Sequence, residues 1–478
     1  MKIAFVNPPF LVGFSRGQRS PGVPSGGTFY YPYWLALACG WAQKKDQEVW
    51  LFDFVASKDN FQTAIKKLKK FLPKLVVIET STPSIFNDLR FGKKVKKALP
   101  DCFVLLVGPH VSALPKQTLE AERAIDGVAV GEYDQTVVDL AKALEKGQSL
   151  EKVAGLVFRR GRKIITNPPR EFLNNLDEFP FVSEVYKQFL ESKNYFFAAA
   201  RWPMVMIITG RGCPFGCFFC LWPQTLHGLK YRFRSPQKVA EEFAWIAKNM
   251  PEIKEVVIED DTFTANIPRV RKVCRLLIAQ KNRLPWSTNA RVHLDLQTMR
   301  LMKKAGCRLL IVGYESGNQE ILNSMEKKIT LAQSRKFAEN AKKAGLLVHG
   351  CFIIGGPGET LKTARQTFRF ACELEPDSAQ FYPLFVYPGT KAFSWAQKHG
   401  FLKTTNFRGW LDEKGKYQGT VDQPGLSAQQ AADFCRWAYL HFYFRPKYLL
   451  KKLVQLIKTP EEGLRSLRAG INFFKNLK

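Results

Sequence analysis

The apolar positions of this chain fall into short runs separated by amphipathic stretches, and the rhythm changes along its length. Through about residue 145, KIAFVNPP, EVWLFDF, LVVIETST, FVLLVGPH and GVAVGE are apolar, β-branched runs. Between them lie segments such as FQTAIKKLKKFL and LRFGKKVKKAL, which carry the helical period. Buried strands alternating with helices predict a Rossmann-like, doubly wound parallel sheet over residues 1–145. Residues 146–200 break the rhythm with a hairpin-like pair around Arg160 and Gly161 and then a Pro-rich stretch, which reads as a linker. From Met204 the rhythm returns in MVMIITG, EVVIEDDTF, LPWSTNARV, CRLLIVGYES, LVHGCFIIGGPGE and SAQFYPLFVYPGT. Six such units over 201–410 predict an incomplete parallel α/β barrel, and 411–478 turn helical.

Both sheet types place ligands at the carboxyl ends of their strands. In the first half those ends carry Thr80, Ser81 and Thr82, then Gly108 and His110, then Gly131. Small residues there admit a large flat ligand close to the backbone. No G-x-G-x-x-G follows the first strand, so the pattern alone says only a nucleotide-like or cofactor-like ligand.

The second half holds the sharpest chemical signal, RGCPFGCFFCLW at residues 211–222, with Cys213, Cys217 and Cys220 in C-x-x-x-C-x-x-C spacing. A structural zinc site asks for four ligands, usually in two pairs, and no second pair follows nearby. Three thiolates with an open position suit a four-iron, four-sulfur (4Fe-4S) cluster whose remaining iron binds something else. Gly212, Pro214 and Gly216 forbid a regular helix here, so the segment reads as a loop at the end of a strand.

That motif, with Phe219 before its last cysteine, resembles the cluster loop of the radical S-adenosylmethionine (SAM) enzymes. The resemblance implies that SAM chelates the open iron and is cleaved by one electron to a 5'-deoxyadenosyl radical, which takes hydrogen from a substrate. Later strand ends match in order. EDDTFT, with Asp260 and Asp261, stands where the family's G-G-E segment is expected, and Arg291 ends the third strand. GYESG, with Glu315 and Ser316, resembles the motif that contacts the SAM ribose and amino acid part. GGPGET, with Gly355, Gly356 and Pro357, resembles the loop beside the adenine. Acceptors such as Asp260, Glu315 and Ser316 suit an ammonium and hydroxyls, and a guanidinium suits a carboxylate.

A parallel sheet in front of such a barrel is similar to the cobalamin-binding domain of one branch of this family. Thr80, Ser81, Thr82, Gly108, His110 and Gly131 are its implied contacts. The segment after the second strand, DFVASKD, lacks the histidine of the D-x-H-x-x-G motif, so a cobalt without imidazole from that motif is expected. Hydrogen abstraction followed by C-methylation is the implied outcome. A non-methylating cyclase, dehydratase or ring-rearranging enzyme is the alternative, and a non-catalytic iron-sulfur or cobalamin sensor is the second class. A complete SAM site speaks for catalysis. The segment LWPQTLHGLKYRFRSPQKV shows a short resemblance to proteins of hopanoid-type lipid biosynthesis, which adds a lipid-linked substrate to the small-molecule expectation.

Composition changes this picture in two places. With 46% hydrophobic and 24% charged residues, 478 in all, the chain can build a sizeable core. No signal-like N-terminus and no long uncharged run stand in the sequence, so the expected location is the cytoplasm. The balance of 72 Lys and Arg against 42 Asp and Glu, net +30, concerns partners. It predicts docking of an acidic reductant such as flavodoxin or ferredoxin, and peripheral contact with an anionic membrane through the basic tail, where Tyr448, Leu449, Leu453, Leu456 and Ile457 are read as one face. No nucleic-acid module is present and no nucleic acid is expected.

Overall fold

The structure is a computed structural model that describes residues 1–477 apart from 25, 405 and 417, with side chains described through 472. Its first sheet takes β1 (Lys2–Asn7), β2 (Glu48–Asp53), β3 (Leu75–Glu79), β4 (Phe103–Val107) and β5 (Gly127–Ala129) in the order β2-β1-β3-β4-β5, all parallel. Every residue of β3 and all but the first of β1 and β4 are buried. That explains the near-continuous apolar runs, since helices cover both faces. The order reverses between β1 and β3, and the cleft at such a reversal is where doubly wound sheets take ligands.

The segment read as a linker does more than connect. β6 (Leu156–Arg160) and β7 (Lys163–Thr166) form the expected hairpin, but they extend the first sheet as antiparallel strands beyond β5. The hairpin thereby covers the backbone edge that β5 would otherwise expose.

The second sheet begins with β8 (Met204–Ile207), followed by a short ribbon of β9 (Gly210–Arg211) and β10 (Arg232–Phe233). β11 (Glu255–Ile258), β12 (Trp286–Ala290), β13 (Cys307–Glu315), β14 (Leu347–Ile354) and β15 (Ser378–Pro383) complete it. These six main strands are all parallel in the order β8-β11-β12-β13-β14-β15. Monotonic order with no β8 to β15 pairing makes an open, partial barrel. Three helices follow the connector: Ala428–Tyr443, Pro446–Lys458 and Pro460–Leu477. The first lies on β15, where the Tyr443 hydroxyl donates to Ala379 O and accepts from Ala379 N.

Two features lock the halves together. Helix Tyr33–Lys44 buries ten residues, from Tyr33 through Ala42, in a core continuous from the first sheet to the barrel. A buried ion network also crosses the junction: Arg211 binds Asp134, and Arg232 and His227 bind Glu132. Burial alone would raise the Glu132 carboxyl, but Arg211, His227 and Arg232 hold it well below the usual range.

Candidate active site

Above the carboxyl ends of the barrel strands lies a cavity of about 230 Å³. Cys213, Cys217 and Cys220 line it together with Phe219, Asp261, Arg291 and Glu315. The cluster loop takes its shape from its glycines. Gly212 has φ +85°, and a Cβ there would stand 2.2 Å from Lys230 O; Gly216 has φ +62°. The loop's carbonyls converge on one side chain, because Gln224 Nε2 donates to Cys217 O, Phe218 O and Cys220 O.

Among the described residues no three His, Cys, Asp or Glu side chains meet as they would on a single ion. An iron-sulfur cluster asks for something else. Its thiolates bind different irons of one cube, so the sulfurs surround a volume instead of a point. Burial first, and then the neighbouring thiols, push Cys220 well above the usual thiol range, and burial raises Cys213. Thiols so placed need a cationic core to ionise, which a cluster supplies. Arg291 Nη1 lies 3.5 Å from Cys217 Sγ, and Cys213 Sγ is 3.2 Å from Thr262 Oγ1.

Around the sulfurs the expected residues separate into two groups. Asp261 accepts from Gly212 N at 2.7 Å with Oδ2, while its buried Oδ1 has no protein partner. Glu315, at φ +64°, binds Lys327 Nζ at 2.6 Å with Oε1 and leaves buried Oε2 unpartnered. Gly313 makes this possible, since a Cβ there would meet Glu315 Oε1 at 2.1 Å. Arg291 donates to Lys327 O, lies over the Phe215 ring and keeps a buried Nε without partner. Two free carboxylate oxygens and a free guanidinium nitrogen beside three thiolates fit a ligand that carries an ammonium and a carboxylate, as SAM does.

Asp260 and Ser316 serve the frame instead. The Asp260 carboxylate accepts from Thr209 Oγ1 at 2.7 Å and the Tyr231 hydroxyl at 2.9 Å, and faces Arg269. Ser316 Oγ meets Thr367 Oγ1 and accepts from Asn318 N. Neither lines the cavity. Gly355, Gly356 and Pro357 also stand back from its wall, where Ile353 and Leu384 take their place. Their loop is pinned from two sides. Glu359 Oε2 accepts from Gly355 N and Gly356 N, and Gln423 Nε2 donates to Gly355 O and Gly356 O.

Three further residues line the cavity: Glu259, which opens the EDDTFT segment, and Arg19 and Lys327, which lie outside every motif. Glu259 accepts from Arg19 and from Asn289 Nδ2. Arg19 reaches in from the loop of residues 8–32 between β1 and its following helix, and its guanidinium lies over the Trp222 ring. Lys327 is buried; burial works against its charge, but Glu315 and Cys217 outweigh it and raise its pKa.

On the first sheet the expected cofactor contacts are closed over. Thr80 Oγ1 donates to Val107 O, Ser81 Oγ meets Ser84 Oγ, and His110 Nδ1 is 3.2 Å from Thr82 Oγ1. Burial holds His110 down at about 3, so the ring is neutral, and Phe407 packs on its edge. Gly108 lets the ends of the neighbouring strands β3 and β4 approach, since a Cβ there would strike Thr80 O at 2.6 Å. Gly131 borders a small crevice that it shares with Trp34, Tyr133 and His227. Small side chains at these strand ends therefore do not by themselves leave room for a flat ligand. The polar inventory nevertheless fits a group rimmed with amides, such as a corrin: Glu79 Oε2, the Tyr133 hydroxyl, Trp34 Nε1 and His227 Nε2 are all buried without protein partners. The Phe407–Trp410 turn packs over this edge, against Thr82–Ser84 and His110.

Residues 207–371 match the family described as the Radical SAM superfamily. An uncharacterized methyltransferase of Pyrococcus horikoshii is 32% identical over 473 residues, covering 97% of this chain and 98% of its own length. The anaerobic magnesium-protoporphyrin IX monomethyl ester cyclase of Cereibacter sphaeroides is 26% identical over 402 residues, covering 82% of this chain and 63% of its own. Among solved structures, the radical SAM methyltransferase TsrM of Kitasatospora setae, with cobalamin and a [4Fe-4S] cluster bound, superposes with a TM-score of 0.70 at 16% identity, over 93% of this chain and 89% of that one. With the cluster loop, the partial barrel and a full-length relative in agreement, this chain belongs to the radical SAM superfamily and shares the two-part architecture of TsrM.

Proposed function

We propose that this chain is a cobalamin-dependent radical SAM enzyme that methylates carbon in a small-molecule substrate. The observation that carries the reading is the meeting of three cysteines with the unpartnered oxygens of Asp261 and Glu315 on one cavity. When bound, the cluster supplies the electron that splits SAM, and cobalamin supplies a methyl carrier. The chain's own residues do the rest. Cys213, Cys217 and Cys220 hold the cluster, Asp261 and Glu315 take the ammonium, and Arg291 takes the carboxylate. Phe219, Leu221, Tyr382 and Phe385 line the cavity and keep water from the reacting atoms.

In this reading residues 1–145 form the cofactor domain, 146–200 connect and lend its sheet the β6–β7 hairpin, 201–410 form the catalytic barrel and 411–478 the extension. The Pyrococcus relative, a methyltransferase by name and nearly co-extensive with this chain, supports the outcome. A cytoplasmic location with flavodoxin or ferredoxin as reductant agrees with the basic surface, and a lipid-linked substrate is the finer version of the proposal.

Anaerobically reconstituted protein is expected to form 5'-deoxyadenosine from SAM when reduced, and Cys213→Ala, Cys217→Ala and Cys220→Ala each to abolish this. Turnover in all three variants would overturn the assignment. Methyl-deuterated SAM is expected to label the product. Product without label favours the second reading, a non-methylating cyclase, which the Cereibacter relative supports.

A further inference from the structure

The last two helices turn their apolar side outward. In Pro446–Lys458, the side chains facing the protein are Tyr448, Lys452 and Gln455, while Leu449, Leu450, Leu453, Val454, Leu456 and Ile457 are exposed. At 3.6 residues per turn those six fill an unbroken arc of roughly 160°. Tyr448, expected on this face from the sequence, points to the protein instead, and Leu450 and Val454 join the face. Leu450 is 64% and Ile457 78% exposed. Leu464, Leu467 and Ile471 of Pro460–Leu477 are exposed as well. The pair is nonetheless fixed to the barrel. The Tyr448 hydroxyl donates to Asp377 O, and Glu462 is buried among Arg201, Arg308 and Arg465. Gly463 sits so close to Leu456 that a Cβ would meet Leu456 Cδ1 at 2.2 Å.

We propose that this helix pair docks the protein on an anionic phospholipid surface, at the end of the barrel opposite its cavity. Charge selects the occupant. Residues 446–472 hold six Lys or Arg against two Glu, and the whole chain carries +30. Lys447 and Lys451 pair with Glu375 and Asp377 but stay exposed at the border of the apolar arc. Surface pairs of this kind are weak and exchange readily for lipid headgroups. Two copies of this face would repel each other, whereas an anionic bilayer attracts it and accepts its leucines. Among the described residues no helix is long and apolar enough to cross a membrane, so the proposed docking is on the surface.

Position decides what docking does. Arg308 stands second in β13, Arg201 just precedes β8 and Asp377 just precedes β15, so the pair sits at the amino ends of the strands. The cavity is at their carboxyl ends. Docking therefore fixes where the enzyme works while its cavity faces away from the bilayer, an orientation that favours the small-molecule substrate over the lipid-linked one. Only this orientation statement rests on the proposed function.

The test is co-sedimentation of the full chain with phosphatidylcholine vesicles, with and without phosphatidylglycerol, together with light scattering. Wild type is expected to be monomeric and to bind the phosphatidylglycerol vesicles. Leu450→Glu/Leu453→Glu/Ile457→Glu should bind them at least tenfold more weakly, with 5'-deoxyadenosine formation within twofold of wild type. Lys447→Glu/Lys458→Glu, which keeps the apolar face, should lose severalfold. Equal binding by wild type and the triple variant overturns the proposal, as does a wild type that ignores vesicles. A wild-type dimer that the triple variant dissociates assigns the face to a second copy and also overturns it. A clear vesicle contrast with no SAM cleavage in either protein leaves docking standing and removes the proposed function instead.

Discussion

Asp260 and Asp261 stand side by side and do opposite work. Past the end of β11, Glu259 and Asp261 reach the cavity, whereas the Asp260 carboxylate turns to Thr209, Tyr231 and Arg269. Asp260→Asn puts an amide where a carboxylate accepts two hydroxyls and faces Arg269. It should cost about 2–3 kcal/mol of stability while SAM affinity stays near wild type. Asp261→Asn keeps an acceptor for Gly212 N but loses the charge toward the cavity, and should weaken SAM binding about tenfold, ~1.4 kcal/mol, with melting unchanged. Calorimetric titration beside thermal melts separates them, and the reverse pattern would sink the assignment. The motif EDDTFT placed the acidic group correctly but not its phase, which depends on where β11 ends. Glu315 was legible because its motif closes a strong strand. Lys327 was not, because an isolated lysine after a short helix carries no pattern until the fold sets it against Glu315.

At the scale of elements, all six barrel strands were legible in the apolar runs, and so were the parallel strands of the first sheet. Segments without a period were not. The loop of residues 8–32 has none, yet it carries Arg19 to Glu259 and lines the cavity with Gln18 and Ser20. The β6–β7 hairpin was visible as a hairpin, but what it pairs with is a long-range choice that local pattern does not hold. The GGPGET loop shows the same limit, since its main clamp, Gln423, comes from the connector. Gln423 also accepts from Gly358 N, so Gln423→Ala removes three hydrogen bonds, each worth about 1 kcal/mol. Hydrogen exchange at Gly355–Glu359 is expected to quicken and SAM affinity to fall severalfold, with cluster content unchanged. Unaltered exchange in that loop would show that Glu359 holds it alone.

For the molecule as a whole, the buried carboxyls set how stability depends on pH. Burial raises Glu79, at the end of β3, to about 8, and raises Glu359 to about 7 against the pull of two backbone N–H groups. Each holds a proton in the folded chain that the unfolded chain has already lost, so each contributes stability at low pH that disappears as pH rises through its folded value. His110 works in the opposite sense. Burial holds it at about 3, so below the ordinary value near 6.5 the unfolded chain takes up a proton that the fold refuses. Stability therefore gains from His110 up to about 6.5 and no further. Glu132, held low by its arginines, does not titrate in this range. Between pH 6.5 and 8 the two glutamates act alone among these four groups, and Glu79 by itself should remove about 2 kcal/mol, at ~1.4 kcal/mol per unit for one proton. A melting temperature that falls by a few degrees across this window is the expected result for the anaerobic full-length protein. Glu79→Gln should abolish most of that fall, and Glu79→Gln/Glu359→Gln should remove the whole share that these two carboxyls carry. An unchanged slope in the double variant would mean that both carboxyls reach water or a counter-charge, and would withdraw Glu79 from the unpartnered polar set at the carboxyl edge of the first sheet.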